Sequence, residues 1–172
     1  LGYTLLETGT VKEAEHTFCK ALESDPSEYS AYLGLSECAR KAQRPDDELR
    51  MVKEAMTLAP DDPDVWNAYA VALEVGHRLP EATQAYHKAL SLDPHHRKAA
   101  NNLGFLLEKR ISQGEEGLRE QVINAWKRRL LICRDEGQSM RMATEHLSKL
   151  GIPDETLEAW ISKDEVPSTV EG

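Results

Sequence analysis

At 172 residues, with 40% hydrophobic and 30% charged residues, the chain has the make-up of a soluble, folded protein and the length of one compact domain or a short array of repeats. Its 21 Lys and Arg against 30 Asp and Glu leave a formal net charge of −9, which argues against nucleic acid as the partner. No run of about 18 apolar residues is present, so no transmembrane helix is expected. Cys19, Cys38 and Cys133 match neither a metal site nor a CxxC pair, and read as small thiols in a reducing compartment, here the cytoplasm. The numbering begins at Leu1 rather than Met, so a targeting segment ahead of it stays open.

Taken in chain order, apolar spacing predicts helices over 1–8, 11–24, 28–42, 46–58, 62–75, 79–91, 96–112, 117–133, 138–150 and 154–163. No stretch alternates with period two long enough for a strand. The acidic clusters Asp46-Asp47-Glu48 and Asp61-Asp62-Pro63-Asp64 fall at helix starts, where they favour the dipole and supply caps. From Lys163 onward, Pro, Ser and acidic residues read as a frayed tail.

The helices repeat in step. Asp25-Pro26, Ala59-Pro60 and Asp93-Pro94 lie 34 residues apart, and so do Ala21, Ala55 and Ala89, and Phe18, Val52 and Tyr86. Leu5, Ala39, Leu73 and Leu107 form one ladder; Leu1, Leu35, Tyr69 and Leu103 form an apolar one. Gly2, Ser36, Ala70 and Gly104 form a ladder of small residues that lets a second helix approach. Proline after the second helix stops it where a lost donor is cheap. One such pair cannot bury its apolar face alone, so pairs stack.

This pattern resembles the tetratricopeptide repeat family. Trp66, Tyr69, Ala70, Leu73, Ala82, Tyr86, Ala89 and Pro94 match its motif across one whole repeat. The preceding repeat reads Tyr32, Leu35, Ser36, Ala39, Glu48, Val52, Ala55 and Pro60, with Glu48 standing where a small residue belongs. The first reads Leu1, Gly2, Leu5, Ala14, Phe18, Ala21 and Pro26 and starts late. After Leu107 the period breaks, and a shift of six restores it. Gly117 then takes the turn place of Gly9, Trp126 that of Phe18 and Tyr86, and Gly151 and Trp160 follow 34 later. The expected fold is all-α, a right-handed superhelical solenoid of antiparallel helix pairs. About five repeats are expected, 1–28, 29–62, 63–96, 97–136 and 137–165, with the first truncated, the last two irregular and a flexible tail at 166–172. The six extra residues fall within 108–116.

No residue set suggests catalysis. Adjacent His95 and His96 do not converge on one metal from a helix. HExxH, GxGxxG, GxxxxGK and GxSxG are absent. The six histidines read as solvated or helix-end residues, and no metal or cofactor is expected. Residues 97–134 carry 9 basic against 4 acidic groups. There the run Lys127-Arg128-Arg129, with Arg134, reads as a basic patch for an acidic protein or an anionic membrane, or as a solvated outer face.

The resemblance implies that first helices line a concave groove holding a peptide or a partner helix. Its inward places carry over to Leu33, Glu37, Asn67, Val71, Glu74, Lys98, Asn101, Phe105 and Arg141. Asn67 and Asn101 suit pairing with a peptide backbone, and Leu33, Val71 and Phe105 a hydrophobic floor, or else packing between first helices. The terminal-carboxylate clamp of chaperone-binding members is incomplete, because Leu33, Glu37 and Val71 replace its basic or amide groups. The expected function is a non-catalytic protein–protein interaction scaffold, with self-association through open end repeats. The alternatives are a module of a larger enzyme, a co-chaperone-type adaptor, or a membrane-surface adaptor working through the basic helix.

Overall fold

The computed structural model describes residues 2–162; Leu1 and the expected tail from Lys163 on lie outside the described residues. Among these residues the fold is all-α, ten helices with no strand. They form four hairpins, α1 (Gly2–Glu7) with α2 (Val11–Ser24), α3 (Tyr29–Lys41) with α4 (Pro45–Leu58), α5 (Pro63–Val75) with α6 (Leu79–Leu92) and α7 (Arg97–Ser112) with α8 (Arg119–Asp135), followed by α9 (Arg141–Lys149) and α10 (Asp154–Ser162), which both pack on α8. None is long and apolar enough to cross a membrane. The chain divides into two compact units, Leu1–Leu92 and Asp93–Gly172.

Three helix starts have a clear local reason. Asp62 is the N-cap of α5, and its Oδ1 accepts from the backbone N–H of Asp64 at 2.8 Å and of Val65 at 3.2 Å. Its other oxygen accepts from the Tyr29 hydroxyl at 2.8 Å, which ties α3 to the start of α5. Pro45 and Pro63 open α4 and α5, where the missing N–H costs nothing. His96 caps α7, its Nδ1 accepting from Ala99 N–H at 3.0 Å, so this histidine is a buried helix-end group.

The turn between paired helices carries a left-handed residue at one fixed place. Gly9 occupies it with φ +86°, Gly114 with +91° and Gly151 with +80°, each followed by a residue whose N–H donates back into the helix, whereas Gly117, expected there from the sequence, lies further along the lengthened connection. Gln43 and His77 hold the same place with φ 56° and 58°, a region in which an L side chain crowds its own backbone. Both side chains are exposed. His77→Gly is therefore expected to raise stability by about 0.5–1 kcal/mol, the relief of that crowding exceeding glycine's extra entropy. Chemical denaturation measures it, and a lower midpoint for the variant would contradict the turn assignment.

Within Leu1–Leu92, an aromatic ring seated on small residues fixes the first two hairpins. Phe18 of α2 is 7% exposed, and a Cβ added at Gly2 of α1 or Gly34 of α3 would fall 2.6 Å or 2.3 Å from its ring. Leu6, Ala14, Ala31, Leu35 and Cys38 close around it. One hairpin later, Tyr86 and Ala70 are both fully buried in helices that pack on each other.

Within Asp93–Gly172 the same device returns with a longer connection. Trp126 has no exposed surface, and a Cβ at Gly104 would meet its ring at 2.7 Å. Gly104 and Trp126 are 22 residues apart, six more than the 16 between Gly2 and Phe18. The surplus is shared. Helix α7 has 16 residues against 13 in α3 and α5, and the connection 113–118 has six against three in 42–44 and 76–78. The extra turn is stitched down by Arg110, 8% exposed, whose Nε donates to Glu115 Oε2 at 2.7 Å while Nη2 donates to Oε1.

Candidate functional site

In the first unit, α3 touches α1 on one side and α5 on the other, so these first helices present a common face. Glu37, Val71 and Glu74 are half-buried on it, as is Leu33. Glu37 pairs with Arg40 one turn on, at 3.5 Å. Asn67 is only 9% exposed and forms part of the packing rather than the open surface. Tyr3 holds the ladder place of Glu37 and Val71 and is 45% exposed. Its hydroxyl donates to the Ser30 carbonyl at 3.0 Å, and its ring lies edge-on to Phe18 at 5.1 Å. Burial, then the nearby charges of Glu37, Asp64 and Glu28, push its pKa up to about 12. Tyr3 was legible in principle, standing 34 residues before Glu37.

In the second unit, Lys98 is exposed and Asn101 half-buried, with its Oδ1 enclosed and lacking a hydrogen-bond partner. Phe105 is 42% exposed and meets Trp126 edge-on at 5.0 Å and His146 at 5.2 Å. His146 of α9 stacks flat on Trp126, centroids 4.1 Å apart. Glu108 Oε1 binds both: the indole N–H donates to it at 2.9 Å, and His146 Nδ1 lies at 2.7 Å. His146 lies in the last turn of α9, so it is a helix-end residue as the sequence suggested, and its side chain is a packing group that joins α9 to α7 and α8 rather than a solvated one. Helix periodicity carries no signal for this, because the stack joins residues from three helices. Arg141 is 84% exposed at its side chain and pairs with Glu145 at 2.7 Å.

The basic run lies against α10. Lys127 Nζ sits 4.5 Å over the Trp160 ring, and Arg134 Nη1 donates to the Trp160 carbonyl at 3.2 Å while pairing with Asp135. Arg129 Nη1 contacts the Cys133 sulfur, and its Nε is buried without a partner. Arg128 is half-buried, and desolvation lowers its pKa from the ordinary value. These cations are largely engaged in packing α8. Between α9 and α10 lies an open groove of about 490 Å³ edged by Thr144, Ser148, Lys149, Leu157, Glu158 and Ile161. Among the described residues no cluster of His, Cys, Asp or Glu could hold a metal.

Such a succession of helical hairpins, with Phe18 seated on Gly2 and Trp126 on Gly104 at the same place of the repeat, defines an all-α repeat protein. Residues 5–72 match the family model of the tetratricopeptide repeat, and that stretch is identified as tetratricopeptide repeats. A peroxisomal targeting signal receptor from Candida albicans (strain SC5314 / ATCC MYA-2876) is 31% identical over 97 residues; the match takes in 54% of this chain, which spans 16% of the receptor's length. Among solved structures, PilF of Pseudomonas aeruginosa superimposes with a TM-score of 0.60 at 21% identity, covering 93% of this chain and 78% of that one. MamA does so with 0.58 at 19%, covering 92% and 95%. The first repeat domain of Spaghetti (RPAP3), bound to the HSP90 peptide SRMEEVD, gives 0.57 at 18%, covering 63% and 86%. At these identities the likeness is one of fold.

Proposed function

We propose that the chain is a non-catalytic protein-interaction scaffold whose first-helix faces hold a peptide or partner helix. The observation that carries this is the first-helix face itself. Tyr3 at 45% exposure in the first unit and Phe105 at 42% in the second are large rings left open at the same place of the repeat, and in the first unit Leu33 and Val71 are half-buried on first helices. Support comes from the RPAP3 neighbour, whose repeat domain is bound to a peptide, and from the receptor relative, which by its name recognises a targeting signal. The three free thiols fit a cytoplasmic setting. Self-association attaches to the open groove between α9 and α10.

The test is affinity for a partner captured on the immobilised chain. Glu37→Arg with Val71→Asp, both at half-buried surface positions, is expected to weaken binding at least about tenfold, with the melting temperature within a few degrees. Lys53→Glu on the exposed side of α4 serves as the control. Equal affinity for the double variant and the control would overturn this reading.

A further inference from the structure

Ala14, Glu48 and Ala82 occupy one place in three successive hairpins, 34 residues apart. The two alanines have no exposed surface, which is what a close crossing of paired helices requires. Glu48 is as deeply placed, at 2% exposure, so a carboxyl group sits where the fold provides space for a methyl group. Its Oε2 has no hydrogen-bond partner. Its Oε1 lies 3.8 Å from Arg40 Nε, across the hairpin on α3. That guanidinium is also 3.5 Å from Glu37 Oε1, so one cation is shared between a core carboxyl and a carboxylate on the first-helix face.

We propose that the α3–α4 hairpin is a proton-operated latch: closed when the Glu48 carboxyl is protonated, and loosened when it gives that proton to solvent and draws Arg40 inward from Glu37.

The charges around it leave this group poorly compensated. From α3 it faces Arg40, with Glu37 behind. Arg44, the N-cap of its own helix, lies one turn away, and Asp47 lies beside it. They pair with each other at 3.3 Å, and further with Glu15 of α2 at 2.8 Å and Arg50 at 2.7 Å, so they are engaged elsewhere. No charge from α5, the other helix packed on α4, acts on it. Burial pushes the carboxyl from its ordinary 4.5 up to about 7, with Arg40 pulling less strongly the other way. The folded hairpin therefore keeps its proton to a higher pH than the opened one does. The advantage of the closed form is complete below about pH 4.5 and is lost as pH rises through about 7. The change in the closed-to-open ratio is on the order of a hundredfold. Because α3 carries Leu33 and Glu37, opening would also alter the face assigned above. That consequence rests on the proposed function, whereas the latch itself does not.

The experiment is hydrogen–deuterium exchange and thermal melting of the whole chain, wild type against Glu48→Gln and Glu48→Ala, at several values between about pH 5 and pH 8. Beyond the intrinsic base catalysis, α3 and α4 amides of the wild type should exchange about tenfold or more faster at the upper end than at the lower. In Glu48→Gln that excess should vanish, and α5 and α6 should show none in either protein. The wild-type melting temperature should fall by about 5 °C relative to both variants across the same range. Effects of pH common to all three proteins cancel from the difference. Parallel pH curves for wild type and both variants, or variants less stable than wild type at pH 8, would overturn the latch.

Discussion

Gly104→Val should unfold or severely destabilise the Asp93–Gly172 unit, with a loss of about 3–5 kcal/mol. Any side chain there begins with a Cβ 2.7 Å from Trp126, inside the closest approach of two carbons. Relief would require the indole to move, and it is held on three sides. Phe105 meets it edge-on, His146 stacks on its face, and Glu108 takes its N–H. Trp126 has no exposed surface, so there is no solvent side to retreat into. The cause is confirmed by a double-mutant cycle. Gly104→Ala alone should cost about 2 kcal/mol, and much of that should be recovered when Trp126→Leu is added, because the obstructing ring is gone. Denaturant unfolding followed by circular dichroism measures both. Additive losses would mean that the glycine is required for some reason other than the ring.

Gly34→Val makes the corresponding case in the first unit and is expected to cost about 3 kcal/mol or more. Phe18 lies between α1 and α3, touching the sites of Gly2 and Gly34 together, so a side chain added on one helix drives the ring into the other. Gly9 and Gly114 are the contrast, since a Cβ at either meets nothing within 4 Å. Their constraint is backbone φ, +86° and +91°, and Gly9→Ala should cost only about 1 kcal/mol. Thermal unfolding ranks the two classes. Gly34→Val no worse than Gly9→Ala would contradict the seating of Phe18.

The ladders made most of this readable. Gly2, Ser36, Ala70 and Gly104 marked the small side of each crossing, and the six-residue shift that aligned Trp126 with Phe18 matches the 22-residue span from Gly104 to the ring above it. Gly34 was not on that ladder. It serves the contact of α3 with the preceding hairpin, and the residues at its place in other repeats differ, so the period is silent about it. The capping reading held for Asp62 but not for Glu48, which lies in the first turn of α4 yet points into the hairpin. Sequence shows that a residue is near a helix start, but not which way that turn faces. The pairing of Arg110 with Glu115 and the stack of His146 on Trp126 join side chains through the inserted turn and across helices. Such contacts depend on distances that no periodicity encodes. The face of first helices was legible as a register, while the fate of single positions on it was not: Asn67 is packed away and Tyr3 stands open.

The claim that first helices present the binding surface is tested most directly by photo-crosslinking. A benzophenone side chain at position 71 or 141 on first helices, and at 53 or 124 on exposed parts of second helices, is irradiated with the captured partner bound. The account predicts adducts from 71, from 141 or from both, and few from 53 and 124. Adducts concentrated at 53 and 124 would contradict it.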